Sequence, residues 1–345
     1  MIVGGGPAGL CASIFLKESR SCDVTVFERD EPGETYGWGI TLPQRTVTKL
    51  ERTHRVLADE LRRQSVAWDR IHVFHRGRRV EIAGTGLLGI SRAGLLRALH
   101  QSCRDAGVQL RFDANVSPGA VPDCDMLICA DGANSLMRAS RIAEFGTSVR
   151  AGYNRYVWLG TPRLFEGLSL IIAQGDAGVF VAHAYPYSPT SSTFIVECGP
   201  ETWANANMNT MSAHDTCEYL ARLFREPLQG HPVVAREPLR WNTFAHVTNA
   251  CWSHEHIVLT GDAAHAVHFS VGSGTMLAIE DAMTLASTLG RHAMLSSALM
   301  EFQAEREAVM ESYRALEQVT VARLERMQSF IELEPLELAY QLLSR

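Results

Sequence analysis

Three glycines, Gly4, Gly6 and Gly9, punctuate the stretch Gly4-Gly-Gly-Pro7-Ala8-Gly9, directly behind the apolar pair Ile2-Val3 and directly before the helical run Leu10 to Leu16. Glycines at these places let the chain turn tightly, let backbone amides approach a pyrophosphate, and let the helix pack close on the strand before it. A diphosphate then meets the helix N-terminus. The residue types point to a dinucleotide. A second strand, Asp23 to Phe27, runs into Glu28, where a carboxylate can accept both hydroxyls of an adenosine ribose, and Arg29 follows it. So few residues precede Gly4 that the opening strand is expected to be clipped or very short.

Two further acids close apolar runs. Asp131-Gly132 ends the buried run Asp125 to Ala130, and Gly261-Asp262 ends the run from His256 to Thr260. Between the first turn and Ala130 the pattern reads strand, helix, strand, loop, helix, strand, strand, which is the α/β signature of a mostly parallel, Rossmann-like sheet. A helical, charged stretch is expected from about Pro43 to Gln64, then two short strands around Arg76-Gly77. Gly84-Thr-Gly-Leu-Leu-Gly89 also fits G-x-G-x-x-G but is read as a decoy. It leads to Ser91, a good N-cap for a helix to Ala106, with no acid-terminated strand at the proper distance.

From about Arg155 to Arg240 the texture changes to four strands separated by Gly, Pro and Ser turns (from Tyr156, Leu168, Gly178 and Ser192), suggesting an inserted antiparallel sheet, with a helix from about Ser212 to Phe224 after it. The expected domains are 1–154 with 246–292 for the nucleotide, 155–245 for the substrate, and a C-terminal helical segment 293–345. Alternation along the strand Val179 to Tyr185 puts His183 and Tyr185 on one face, able to address the same pocket. A histidine satisfied within the strand is the competing reading of His183. His265 is read as structural, helping to hold its turn.

The 345-residue chain is long enough for a sizeable core, and its eight cysteines show no C-x-x-C pair, which argues for buried thiols and against a disulfide or zinc framework. No apolar run approaches the length of a membrane helix and no leader precedes the glycine turn, so the expected place is the cytoplasm. The net charge of −6 hides an asymmetry: from Arg45 to Arg79 ten Lys/Arg face four Asp/Glu, a local +6. Such a lobe favours an anionic small molecule over nucleic acid, although a solvated arginine-rich helix face reads equally well.

Three separated pieces together resemble the flavoprotein aromatic hydroxylases of the para-hydroxybenzoate hydroxylase fold. They are the glycine turn with Glu28, Asp131-Gly-Ala-Asn-Ser135-Leu-Met-Arg138 as that family's D-G-x-x-S-x-x-R, and Gly261-Asp-Ala-Ala-His265 as its G-D-A-A-H. Tyr36-Gly-Trp-Gly-Ile40, the strands around His183 and Glu197, and His268-Phe-Ser-Val-Gly272-Ser-Gly274 narrow it to the branch holding salicyloyl-CoA 5-hydroxylase and the violacein-pathway indole hydroxylase. The resemblance implies FAD held by Gly4, Gly6, Pro7, Ala8, Gly9, Glu28, Arg29, Arg92, Asp131, Gly261, Asp262, Gly272 and Gly274. It also implies a departure: Phe269 stands where the wider family usually has proline beside the flavin.

On that resemblance, NADPH or NADH reduces FAD, O₂ adds to give a C4a-hydroperoxide, and a hydroxyl passes to an electron-rich ring; the cofactor carries the hard chemistry while the protein docks the ring and keeps water out. His268, His183 and Tyr185 are the acid/base candidates, and Trp38, Trp158 and Phe269 the pocket aromatics. The expected substrate is an aryl-CoA such as salicyloyl-CoA, its phosphates on the basic lobe, with an indole-type ring as the alternative. A monomer or homodimer without metal, nucleic acid or membrane is expected. A halogenase should carry W-x-W-x-I-P, a Baeyer–Villiger enzyme a second dinucleotide domain, and a flavin-free scaffold would not need Glu28, Asp131 and Asp262.

Overall fold

The computed structural model describes residues 1–35 and 37–344, the side chain of Thr85 excepted; Tyr36, quoted above in the Tyr36-to-Ile40 stretch, lies outside the described residues. The alternation of strands and helices builds a six-stranded sheet in the order Ser253–His254, Ile257–Leu259, Leu127–Cys129, Ile2–Val3, Thr25–Phe27, Gln109–Arg111. Apart from the Ser253–His254 edge, every pairing is parallel. Strands joined by crossovers, here with helices among them, are expected to pair this way. The first strand is two residues long because Gly4, at φ +107°, turns the chain out of the sheet. Leu10 and Ile14 of the helix Pro7–Ser19, Leu277 and Leu285 of the helix Gly274–Arg291, and Phe302 of the helix Leu295–Glu325 share one apolar core with Ile2, Val26 and Ile128.

The second sheet has eight strands in the order Asn242–Thr248, Ser148–Thr161, Ser191–Cys198, Gly178–Ser188, Leu168–Gly175, Val66–His75, Arg78–Ser91, Gly39–Pro43. The four strands expected between 156 and 198 are present and antiparallel to one another. Three strands from the stretch assigned to the nucleotide domain also join this sheet, and Ser148–Thr161 starts before the expected boundary at 155. Val66–His75 runs parallel to Leu168–Gly175, so the sheet is antiparallel except at that junction. The reason is apolar continuity: Ile71 pairs with Leu168 and Val73 with Leu170, extending one hydrophobic face across the seam.

The hairpin about Arg76 and Gly77, at φ +51° and +68°, has long arms where short strands were expected. The second glycine motif, Gly84 to Gly89, lies inside the strand Arg78–Ser91 and heads no nucleotide-binding helix, in line with its reading as a decoy. Ser91 caps the helix Arg92–Asp105, its hydroxyl accepting the Gly94 amide. The expected helical stretch up to Gln64 breaks at His54, whose Nδ1 accepts the Leu57 amide at 3.0 Å and so starts a second helix. Leu324, Met327, Leu338 and Leu342 of the C-terminal segment lie on the second sheet against Val73, Leu170 and Val181. No helix among the described residues is long and apolar enough to cross a membrane.

Candidate active site

A Cβ on Gly4 would lie 2.2 Å from the Ala130 carbonyl oxygen and one on Gly9 would lie 2.1 Å from that of Gly4, whereas a Cβ on Gly6 would meet nothing within 4 Å. The outer glycines are therefore required by packing; the middle one faces open space. Gly6 is also the N-cap of the helix Pro7–Ser19 and offers no side-chain cap, so the first amides of that helix are left for an anion. The Glu28 carboxylate accepts the amides of Gly5 at 2.5 Å and Asp30 at 3.0 Å, which fixes it beside the turn. Gly4, Gly6, Glu28, Arg29, Arg92 and Asp131 line one cleft of about 210 Å³.

The other two segments are tied into this cleft. Arg138 donates from Nη1 to the Ala263 carbonyl at 2.9 Å and from Nη2 to that of Ala133 at 2.5 Å, so one buried guanidinium links the loop after Asp131 to the turn carrying Asp262. His265 and Asp281 meet at 2.9 Å, Asp281 also accepts the Gly261 amide at 2.9 Å and Arg306 Nε at 2.7 Å, and Asn249 donates to Ala264. His265 thus holds the turn, as read from sequence. Asp262 is exposed, yet protein hems it in and raises its carboxyl above the ordinary value, with His265 and Arg92 partly offsetting this. Burial likewise lowers Arg92, and Asp262 offsets it.

Gly272, at φ +64°, precedes the uncapped start of the helix Gly274–Arg291, and a Cβ on Gly274 would lie 4.0 Å from Asp262 Oδ1. FAD fits these residues. Asp131 Oδ1 and Arg92 Nε are buried without hydrogen-bond partners, Gly6 opens onto space, and two helix N-termini are uncapped. A buried polar atom left unpaired costs about 1–3 kcal/mol, so such atoms mark places where a polar ligand is expected. Glu28, Arg92, Asp131 and Asp262 would hold its sugar, diphosphate and ribityl groups.

A second cavity, of about 780 Å³, opens between the face of the eight-stranded sheet and the loop Phe269 to Ser273; His183, Tyr185, Ile195, Leu168 and Phe269 are among its walls. His183 pairs across strands with Ile195, and Val181 with Glu197, so Glu197 shares the face of His183. Its Oε1 lies 2.6 Å from His183 Nε2, and its Oε2 accepts Asn154 Nδ2 at 2.9 Å. Burial opposes the Glu197 charge, but His183, His268 and Asn154 outweigh it and hold the carboxyl below its ordinary value.

Tyr185, expected to do acid/base work, donates its hydroxyl proton to the Gly39 carbonyl at 2.9 Å, and burial pushes its pKa up. It fastens the strand Gly39–Pro43 to the sheet. His268 is not among the side chains lining the cavity. It lies behind Phe269, ring centroids 4.1 Å apart, its amide bonded to Glu317 and its Nδ1 accepting from Ser270. Burial pushes it down to about 4. Trp38 and Trp158 also stand off the cavity: Trp38 packs on Gly160 under Arg236, and Trp158 fills the apolar cluster of Trp68, Tyr185 and Ile195. Of the expected pocket aromatics, Phe269 alone lines it.

Sequence reasoning missed Glu197, Asn154 and Glu317. A glutamate at an inward position of the apolar strand Ser191–Cys198 was the available signal. The basic lobe is largely paired: Arg78 with Glu334 at 3.2 Å, Arg79 with Glu166 at 3.0 Å, Arg62 with Glu51 at 2.6 Å and Arg70 with Glu81 at 3.2 Å. Acids from distant segments cancel much of the charge that the local count displayed.

Residues 120–316 match a family described as FAD binding domain, and residues 2–37 one described as NAD(P)-binding Rossmann-like domain. The chain is 40% identical over 298 residues to a Streptomyces salicyloyl-CoA 5-hydroxylase, covering 84% of this chain and 57% of the relative, so it spans little more than half that protein's length. It is 33% identical over 320 residues to protodeoxyviolaceinate monooxygenase of Chromobacterium violaceum, covering 91% and 85%. The tetrameric form of 2-methyl-3-hydroxypyridine-5-carboxylic acid oxygenase superposes with a TM-score of 0.76 at 20% identity, covering 100% of this chain and 96% of that one, which shows the shared fold. With the glycine turn, Glu28 and Asp131 on one cleft, Arg138 tying the loop after Asp131 to the turn that carries Asp262, and a second sheet walling a further cavity, the chain belongs to the FAD-dependent aromatic monooxygenases.

Proposed function

We propose that this chain hydroxylates an aromatic ring held in the 780 Å³ cavity, using NADPH or NADH and O₂, and that the ring arrives as an aryl-CoA thioester such as salicyloyl-CoA, hydroxylated at its 5-position. FAD, when bound, supplies the electron transfer and the activation of oxygen. The chain's own residues do the rest. The first amides of the helix Pro7–Ser19 would meet the diphosphate, Asp262 and Arg92 would hold the cofactor, and Leu168, Ile195 and Phe269 would exclude water from the ring. Excluding water strengthens each polar contact inside the cavity.

The observation that carries the thioester reading is the lining of the cavity. Its wall is mostly apolar, and among the described residues its one cationic side chain is Arg45, exposed and bonded to the Tyr313 hydroxyl at 3.0 Å. A free aryl carboxylate would lose its hydration there without a fixed cation in the interior, and burying an unpaired charge is costly. A thioester carbonyl is neutral and avoids that cost. The paired arginines of the basic lobe no longer support the reading; the 40% identical salicyloyl-CoA 5-hydroxylase does.

The test is NADPH and NADH consumption by the purified yellow protein with salicyloyl-CoA, salicylate and indole, the product being identified by mass spectrometry. Salicyloyl-CoA should accelerate consumption and gain one oxygen. Acceleration by indole alone would favour the violacein-type relative, and acceleration by free salicylate would remove the thioester requirement.

A further inference from the structure

We propose that the mouth of the 780 Å³ cavity is the port through which the phosphate-bearing arm of a coenzyme A thioester leaves the protein, and that Arg45 selects for that arm by binding its phosphates. This rests on the aryl-thioester reading above and deepens it by naming the residues that would meet the carrier end of the substrate. Among the described residues that line the cavity, the exposed ones are Gln44, Arg45, Gly84 and Ser312, whereas Ile71, His183, Tyr185 and Ile195 are buried. The cavity is thus closed at the sheet and open where the strand Arg78–Ser91 passes the first turn of the helix Gln44–Thr53 and the flank of the helix Leu295–Glu325. A flat apolar ring belongs at the closed end. The chain attached to its carbonyl must then continue out of the open one.

Two features suit this mouth to such a chain. Its rim is bare on one side: Gly84 and Gly86 lie at φ +95° and +52°, a left-handed backbone that favours glycine, and a Cβ on Gly84 would meet nothing within 4 Å. The second glycine motif of the sequence, which heads no nucleotide-binding helix, thus borders the opening. The other feature is charge. Among the described residues no carboxylate lines the cavity, and Arg45, at the rim, has no ion pair. Lys49, one turn along the same helix, is already paired with Glu280 at 2.8 Å. Arg45 spends Nη2 on the Tyr313 hydroxyl at 3.0 Å, which in turn donates to Met276 Sδ at 3.6 Å. The guanidinium is therefore held at the opening with N–H groups left for phosphate oxygens.

The holoenzyme is assayed for ring hydroxylation with salicyloyl-CoA and with S-salicyloyl-N-acetylcysteamine, which keeps the ring and the thioester and ends before the phosphates. The wild type should show the lower KM with salicyloyl-CoA, and added salt should narrow the difference. Arg45→Ala should raise the KM for salicyloyl-CoA by about fivefold, the scale of an exposed ion pair, with kcat and the KM for the short thioester unchanged. Arg45→Lys should recover part of the loss. Ser312→Trp, at the exposed rim, should raise the KM for both thioesters and leave the dissociation constant of salicylamide, a ring without the arm, as in the wild type. The proposal is overturned if the wild type takes both thioesters with equal KM, if Arg45→Ala shifts both equally or neither, or if Ser312→Trp handles both as the wild type does. Should the wild type hydroxylate neither thioester, the aryl-thioester reading itself fails, a distinguishable result that removes this proposal with it. The Arg45 comparison stands even if Ser312→Trp does not fold.

Discussion

Arg138 donates to the carbonyl of Ala263 across 2.9 Å, a bond between residues 125 positions apart in the chain. The same side chain also reaches Ala133, so a single buried cation sets the spacing between the loop holding Asp131 and the turn holding Asp262. Lysine keeps the charge but cannot present two donors in a fixed fork. Arg138→Lys should lower stability by about 2 kcal/mol and weaken FAD retention together. Thermal unfolding and flavin content after gel filtration check this; full flavin retention would show that the loops keep their spacing without the fork.

The glycine turn separates two roles that sequence alone could not. Gly4→Ala puts a Cβ 2.2 Å from a carbonyl oxygen at φ +107° and should prevent normal folding. Gly6→Ala meets nothing within 4 Å, so the apoprotein should unfold at the wild-type temperature while FAD affinity falls by about tenfold or more. Calorimetry of apoprotein and fluorescence titration with FAD distinguish the two, and a Gly6→Ala protein that binds FAD normally would place the diphosphate elsewhere.

Much of this site was legible in the sequence because its chemistry is local. A glycine turn followed by a helix, an acid ending a strand, and Ser91 as a cap each depend on a few neighbouring residues. What was not legible depends on strand register and on long-range pairing. Glu197 becomes partner to His183 only once Gly178–Ser188 and Ser191–Cys198 align Val181 with Glu197. The basic lobe is paired by Glu166 and Glu334, residues outside the counted window. Tyr185 and His183 do share a face, as alternation required, but the arrival of Gly39 opposite Tyr185 is set by tertiary folding and decides what its hydroxyl does.

Tyr185→Phe removes a hydrogen bond to Gly39 and nothing from the ring chemistry. The Gly39 carbonyl keeps a second donor in Thr193 Oγ1 at 3.2 Å, so the stability loss should be about 1 kcal/mol. Turnover and its coupling to NAD(P)H oxidation should stay within about twofold of wild type, since general acid/base groups contribute about 10² to 10⁴. A hundredfold fall in kcat would return Tyr185 to the acid/base machinery.

His268 predicts how the protein responds to acid. Its folded-state pKa is pushed from 6.5 down to about 4 by burial, so as pH falls through that window the unfolded chain binds a proton that the folded one refuses. Stability is therefore fully present above about 6.5 and declines toward 4, by roughly 3 kcal/mol for this one group. Glu197, held below the ordinary carboxylate value, adds a loss of the same sign that begins lower, near and below its unfolded value of 4.5. His268→Asn keeps an acceptor for the Ser270 amide and removes the titrating ring, so urea unfolding measured between pH 4 and 6.5 should show a flatter dependence than wild type. Because His268 stands behind Phe269 and off the cavity, the same variant should bind an aromatic ring as the wild type does, and an unchanged pH slope would mean that the imidazole is solvated in the folded protein.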